Sequence, residues 1–338
     1  MMPRNLALVM GVSLMAAGQV WAQSAPLRIK PPKKEKELDT QTLPLPPEPP
    51  SAVIAETAKL AFNISPLSGK GLLTQQVHDA LKALDRATGG ATSVKLRAFV
   101  AGTGDMRRVA TIVAEEFSDK KMPLPVVTTV QVGALPMEGA QVVIESISQE
   151  KNDKKTLNPN GLAFFSSQRP SELAAAVKAQ DAVLVQVTCF VGDIAQVDSA
   201  RAATTSAFPG AAANFVQLTR LAVESGISCE GVGRLQKPGK SPAKLVLTGI
   251  QMAFQDRDQD LRLAYGRLGR ALETMKAAYS GALVLSVYAL NPATAAKTAA
   301  LAPEFLGPSA HPGGSTLIVE GLPSPDATVA IELVAAGP

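Results

Sequence analysis

Residues 94–102 read VKLRAFVAG, and this stretch decides the fold because its pattern returns twice along the chain. The second occurrence is AVLVQVTCFVGD (182–193) and the third is ALVLSVYALN (282–291). Each stretch is aliphatic or β-branched, reaches a turn with Gly, Asp or Asn, and precedes a helical pattern that ends on Phe. The strand aromatic and that Phe are 18, 18 and 17 residues apart, which predicts a repeated strand–helix unit.

The correspondence continues after each helix. A proline follows, then a strand pattern, a short turn and a last strand that carries one glutamate. The three glutamates are Glu145, Glu230 and Glu332, and they lie 20, 21 and 20 residues after their prolines. A long amphipathic helix is also predicted in the front half of two units, over 73–87 and 259–278, but only a shortened one near 171–180.

These patterns predict an α+β chain with three tandem units, the middle one having a degenerate front half. The units are expected at 53–150, 157–237 and 240–338.

The N-terminus predicts export. Arg4 precedes an apolar run over 6–17, and small residues before Gln23 favour cleavage after Ala22, which makes 1–22 a signal peptide. An uncleaved anchor is the alternative, although the run is shorter than the roughly 20 residues that span a bilayer. The Pro- and Lys-rich residues 23–52 predict a disordered linker. A periplasmic protein without a later membrane span is therefore expected.

Composition limits the chemistry. Net charge is +4 with mixed signs and no basic stripe, which argues against nucleic-acid binding. Two histidines outside any ligand-spaced cluster argue against a metal, and no cofactor motif is present. Cys189 and Cys229 are the two cysteines; they either form a disulfide in an oxidising compartment or remain buried thiols.

The order of elements resembles the Rid (YjgF-like) family, whose units have a chorismate-mutase-like fold. Four segments carry the resemblance most clearly: QQVHDALKALDRA (75–87), PVVTTVQVGALP (125–136), VVIESIS (142–148) and EGLP (320–323). Rid proteins are typically homotrimers with ligand clefts between subunits. The resemblance therefore implies a monomer that closes as a single-chain pseudo-trimer, with a central β-barrel and helices outside. Independent domains, or a dimer of irregular units, are the alternatives.

The resemblance also exposes a missing arginine. Active Rid enzymes hydrolyse enamines and imines, and they hold the substrate carboxylate with an arginine two residues after the proline that follows the second helix. Val127, Ala211 and Gly314 occupy those positions here. The family's water-orienting carboxylate maps onto the three glutamates named above, which could be cleft groups or structural strand-end residues. Four cations on nearby strands could replace the clamp, although solvated positions are expected for them: Lys95, Arg97, Arg220 and Arg234.

We therefore expect an exported, non-catalytic Rid-like protein that uses inter-unit clefts to bind a small ligand or an envelope protein. The alternative is an imine or enamine deaminase-type hydrolase with relocated anion-binding residues. That alternative predicts an Arg or Lys within reach of one of the three glutamates. A purely structural assembly part, without a cleft that could hold a ligand, is the third possibility.

Overall fold

The computed structural model describes residues 46–50, 52–54, 60–102, 104–149, 161–218, 226–236 and 244–337. All of them belong to one compact body, Leu45–Pro338. The predicted signal peptide, and the predicted linker before residue 46, lie outside the described residues. None of the helices in the described ranges is both long enough and apolar enough to cross a bilayer.

The first unit contains one four-stranded sheet with two helices. Its elements are β2 (Leu60–Ile64), α1 (Leu73–Thr88), β3 (Thr92–Ala101), α2 (Met106–Asp119), β4 (Val126–Val132) and β5 (Val142–Gln149). The strand order is β2-β5-β3-β4. α1 forms because Val77, Leu81 and Leu84 recur at helical spacing, and this face is buried against the sheet.

The second unit repeats this order and adds one strand from upstream. Its elements are β6 (Leu162–Gln168), α3 (Pro170–Ala179), β7 (Ala182–Val191), α4 (Val197–Ala207), β8 (Ala212–Gln217) and β9 (Ile227–Leu235). The strand order is β1-β6-β9-β7-β8, where β1 is Ala52–Ile54. The start of the first predicted unit therefore lies in the sheet of the second. α3 has only 10 residues, against 16 in α1.

The third unit has the same arrangement again. Its elements are β10 (Lys244–Leu247), β11 (Gln251–Ala253), α5 (Asp258–Thr274), β12 (Ala282–Ala289), α6 (Pro292–Leu306), β13 (Thr316–Ile318) and β14 (Val329–Gly337). The order is β10-β14-β12-β13, with β11 also paired to β14. The predicted element types and order match the described structure, and most boundaries agree within a few residues.

One polar side chain begins the helical segment after the central strand of each unit. Asp105 accepts a hydrogen bond from the amide of Arg107, and Asp193 accepts one from Ala195, where a single 3₁₀ turn precedes α4. In the third unit, Asn291 accepts one from Thr294. These caps satisfy amides that have no partner inside the helix, and they explain why an Asp or Asn lies between each central strand and its helical segment.

The register brings the repeated residues to one face. Phe99, Phe190 and Tyr288 pack in a single core cluster with residues from all three units. Two residues before each aromatic, the central strand is directly opposite the glutamate of the last strand. Since side chains alternate across a strand, the three glutamates share the inner face with the aromatics. The opposite face of each sheet is covered by that unit's helices.

The predicted closed central β-barrel is wrong for the described residues. Their strands form three separate sheets, and isolated bridges such as Ala134↔Ile318 and Gln217↔Gly321 join neighbouring units. Side chains occupy part of the seam where a continuous ladder would run. Between β4 and β6, for example, Thr128 Oγ1 accepts a hydrogen bond from the amide of Ser167 at 3.1 Å.

Candidate ligand-binding site

The three glutamates meet in one place. Arg97 Nη1 lies 3.3 Å from Glu145 Oε2, and its Nη2 bonds to Glu230. Lys95 Nζ lies 2.9 Å from the other oxygen of Glu230. Glu332 is near enough to Arg97, Glu145 and Glu230 to be affected by their charges. We call these five residues the glutamate cluster. They come from all three units and form one site, whereas three separate clefts were expected.

The solvated positions expected for Lys95 and Arg97 are wrong. Lys95 is 5% exposed, and the side chain of Arg97 is 13% exposed. β3 is covered by helices on one face and by the other two units on the other, so that both faces are buried. Arg234 is exposed, as expected, and Arg220 lies outside the described residues.

Charge pairing determines the protonation of Glu230. Its burial would raise the pKa, but the positive charges of Arg97 and Lys95 outweigh that cost, together with hydrogen bonds from Lys95 and Thr128. The pKa of Glu230 is lowered to about 2. For Lys95, burial is the larger effect, and its pKa is lowered despite the attraction of Glu230. Glu230 is therefore an ionised, internally neutralised group at physiological pH.

Glu332 behaves differently. Tyr288 donates its hydroxyl hydrogen to Oε1 at 2.8 Å, and the amide of Asn214 donates to Oε2. Burial raises the pKa of Glu332 to about 7, the charges of Glu145 and Glu230 add to the rise, and Arg97 and Tyr288 oppose it. The cluster thus holds a carboxyl group that changes charge near neutral pH.

A Glu332→Gln substitution should remove a pH dependence of stability. Because the folded pKa is above the unfolded value of 4.5, the stabilisation is complete below pH 4.5 and is lost as pH rises to 7. The loss is on the order of 3 kcal/mol. Urea unfolding at pH 5 and pH 8 should show this decline in the parent protein and little of it in the variant.

The exposed Glu138→Gln change is the matched control, since it removes a carboxylate outside the cluster. An equal decline in the Glu332→Gln protein would show that this carboxyl group is not the source.

A cavity of about 80 Å³ adjoins the cluster. Residues of all three units line it, and its polar lining includes Asn63, Arg97, Glu145, Gln186, Ser286 and Glu332. Apolar side chains such as Ile147, Leu162 and Val284 complete the wall. An apolar protein cavity of about 150 Å³ can hold benzene, which has six heavy atoms, so this space suits a molecule of roughly three or four heavy atoms.

The pairing of each central strand with the parallel strand beside it shows which residues occupy the position of the missing arginine. Val127 is opposite Leu96, and the equivalent residue in the second unit is Ala213, opposite Val187, not Ala211. In the third unit Gly314 has φ +115°, and a Cβ there would lie 2.2 Å from the carbonyl oxygen of Leu285. No side chain fits at Gly314, and none of these positions holds a cation.

Cys189 and Cys229 are directly opposite on β7 and β9 and are joined by a disulfide. Both face the helices of the second unit, on the side of the sheet away from the cluster. The bond therefore crosslinks the unit's centre and contributes no group to the cavity. Among the described residues, no group of three His, Cys, Asp or Glu side chains is arranged to hold a metal.

Sequence reasoning missed Asn63, which lines the cavity, and the residues that hydrogen-bond to the glutamates from outside it, Thr128, Asn214 and Tyr288. One signal was available. Thr128, Asn214 and Ser315 occupy the same position in the three units, and all three are polar. Each is directly opposite the central-strand residue that lies two positions before the aromatic. A polar residue recurring on an inward-facing position predicts a buried polar contact.

Comparisons with known proteins find similarity at the level of structure alone. No family model and no curated protein match the sequence. A chorismatase structure aligns with TM-score 0.49 and 11% identity, over 82% of this chain and 98% of that one. A cyanuric acid hydrolase from A. caulinodans aligns with TM-score 0.40 and 12% identity, over 82% of this chain and 100% of that one.

Single-unit structures of the YjgF family also align. One from Mycobacterium tuberculosis has TM-score 0.25 and 22% identity, covering 27% of this chain and 77% of that one. Likenesses this distant concern the mixed α+β fold and carry no information about ligand or activity.

Proposed function

We propose that this chain is an exported, non-catalytic binding protein whose small ligand occupies the cavity beside the glutamate cluster. The observation that carries the proposal is a cavity of about 80 Å³ whose wall combines residues of all three units and includes buried charged and polar side chains. Such groups are costly to bury and are kept where they orient a ligand or an internal partner.

We also propose that the three units are divergent Rid-like copies closed into one monomeric pseudo-trimer. Their common strand order and their shared inner core support this. Fusion makes assembly independent of concentration and allows each junction to diverge. Light scattering of the mature chain should give the mass of one chain, and a stable homotrimer would contradict the arrangement.

We propose that the protein is non-catalytic because the cations near the cavity are already paired with glutamates. Arg97 already binds Glu145 and Glu230, and Lys95 binds Glu230 as well. A substrate carboxylate would have to displace these ion pairs, because no cation stands at the positions of the missing arginine. The cluster thus resembles a neutralised internal network more than an open anion clamp.

A hydrolase remains the second candidate, favoured by one observation. Glu332 lines the cavity, and its pKa of about 7 suits a general acid or base. Arg97 and Lys95 also lie within reach of glutamates, as the relocated-clamp alternative requires. Turnover of 2-iminopropanoate that Glu332→Gln abolishes would establish this candidate and refute the non-catalytic proposal.

Filling the cavity should abolish binding. Val284 lines the cavity, so a Val284→Phe change should occupy much of its volume. Amide chemical shifts would be recorded with millimolar acetamide, urea, acetate and guanidinium, which are all of suitable size. We expect at least one probe to shift signals of residues around the cavity in the parent protein, and none to do so in the variant.

Val183→Phe is the matched control, because Val183 is also a valine on a central strand, is 45% exposed and does not line the cavity. That variant should bind as the parent does. If none of the four probes shifts cavity residues in the parent, the proposed binding function fails.

A further inference from the structure

At two of the three junctions between units, one side chain makes two hydrogen bonds to the next unit. We call such a junction closed. Between the first and second units, Thr128 accepts from the amide of Ser167 at 3.1 Å and hydrogen-bonds to Glu230. Between the second and third, Asn214 accepts from the amide of Ile250 at 2.9 Å and donates to Glu332. In both cases the side chain bridges a backbone amide and the glutamate of the next unit.

The third junction, between the third and first units, lacks this bridge. The equivalent residue is Ser315, which is 2% exposed, and its Oγ has no hydrogen-bond partner among the described residues. The glutamate of the next unit is Glu145, whose Oε1 is also buried without a partner there. Asn63 Nδ2 and Arg97 Nε are in the same condition. The four atoms comprise donors and acceptors together.

Three of the four residues that carry these atoms contribute to the cavity wall, and the fourth, Ser315, follows two residues that do. Asn63, Arg97 and Glu145 line it, and so do Gly313 and Gly314, the two residues before Ser315. A Cβ on Gly313 would be 3.4 Å from the carbonyl oxygen of Phe62, so the loop before β13 packs directly against β2. In the cyclic order of the first two junctions, Glu145 is the glutamate that corresponds to Ser315.

We infer that this open junction binds an uncharged amide- or urea-type molecule, which supplies the bridge that Ser315 is too short to make. The inference rests on the proposed binding function and specifies its ligand class and junction. A carbonyl oxygen would accept from Asn63 Nδ2 and Arg97 Nε, and the two N–H groups of the same molecule would donate to Glu145 Oε1 and Ser315 Oγ. Burial of these groups without partners is costly, and such a ligand removes the cost.

Charge balance selects against ionic ligands. Two cations, Lys95 and Arg97, face the two carboxylates of Glu145 and Glu230 in the cluster. Glu332, with a pKa of about 7, adds only part of a negative charge at neutral pH. An anion would meet Glu145 at the cavity wall, and a cation would meet Arg97 there. A neutral molecule with both hydrogen-bonding functions avoids either repulsion.

Isosteric pairs test the ligand class. Acetamide and acetate share a shape, as do urea and guanidinium, and each pair differs in charge. Titrations followed by amide chemical shifts should give acetamide and urea dissociation constants on the order of 1 mM, which four heavy atoms can support. Acetate and guanidinium should bind at least about tenfold more weakly. Preference for acetate or guanidinium would overturn the ligand class while the binding function stood; no binding by any probe would remove both.

A serine variant tests the junction. Ser315→Ala should weaken acetamide binding about tenfold, yet leave the melting temperature of the unliganded protein unchanged or higher, because the removed hydroxyl has no partner. Thr128→Val, the equivalent change at a closed junction, should lower the melting temperature and alter acetamide affinity less than about threefold. Asn63→Leu should also weaken acetamide binding. Equal destabilisation by Ser315→Ala and Thr128→Val would show that Ser315 is already bonded and that the junction is closed.

Discussion

Replacing Arg97 with methionine should lower the free energy of unfolding by about 3–5 kcal/mol at pH 7. The substitution keeps a similar length but leaves Glu145 without its cation and Glu230 with Lys95 alone. Removing the cation that pairs with a buried carboxylate costs far more stability than removing the partner of an exposed one, because water cannot reach the buried charge to solvate it. Urea unfolding at constant pH measures the difference.

The difference in free energy of unfolding between the parent and the Arg97→Met protein should become smaller at acidic pH. In the parent protein the pKa of Glu230 is depressed to about 2, so its stabilising contribution is present above pH 4.5 and is lost as pH falls toward 2. Without Arg97 that depression is smaller, and the variant loses less over the same range. The two stability curves should therefore approach each other between pH 5 and pH 3.

Arg234→Met is the matched control, since Arg234 is an exposed cation on β9. Its effect should stay within about 0.5 kcal/mol. A loss below about 1 kcal/mol for Arg97→Met would indicate that Arg97 is solvated and that the glutamate cluster does not exist as described.

Loss of the disulfide should produce an effect of similar size. The bond between Cys189 and Cys229 spans 40 residues of sequence, and the entropy of closing such a loop corresponds to about 4 kcal/mol. The double change Cys189→Ala with Cys229→Ala should lower the melting temperature by roughly 10 °C. Reductant should have a similar effect on the parent protein and none on the double variant.

Two titratable thiols in protein purified under oxidising conditions, with a melting temperature that reductant leaves unchanged, would contradict this prediction. A formed disulfide would in turn support the proposed export, because such bonds persist outside the cytoplasm.

The arrangement of elements was open to prediction because it depends on local pattern. β3, β7 and β12 are each followed within a few residues by a helical segment, and the residues that cap these segments are visible in the sequence. Alternation could also be read within each strand. Alternation assigns side chains to the two faces of a strand, but it does not show whether each face is buried. Both faces of β3 are buried once the three units pack together.

Lys95 and Arg97 show the consequence. In an isolated unit their face of β3 would be open to solvent, which is the natural expectation for two cations on one face. The glutamates that pair with them lie on β5 and on β9, and the β9 partner is more than 130 residues away. Only the packing of one unit on another makes that contact, so no local pattern could predict it.

The inferred ligand site lies at the junction between the third and first units, and a crystal structure of the protein soaked in acetamide would show whether it binds a small neutral molecule. Acetamide should occupy the cavity, with its oxygen within hydrogen-bonding distance of Asn63 Nδ2 and its nitrogen within that distance of Glu145 Oε1. A cavity without acetamide, with Ser315 Oγ hydrogen-bonded to Glu145, would overturn the inference.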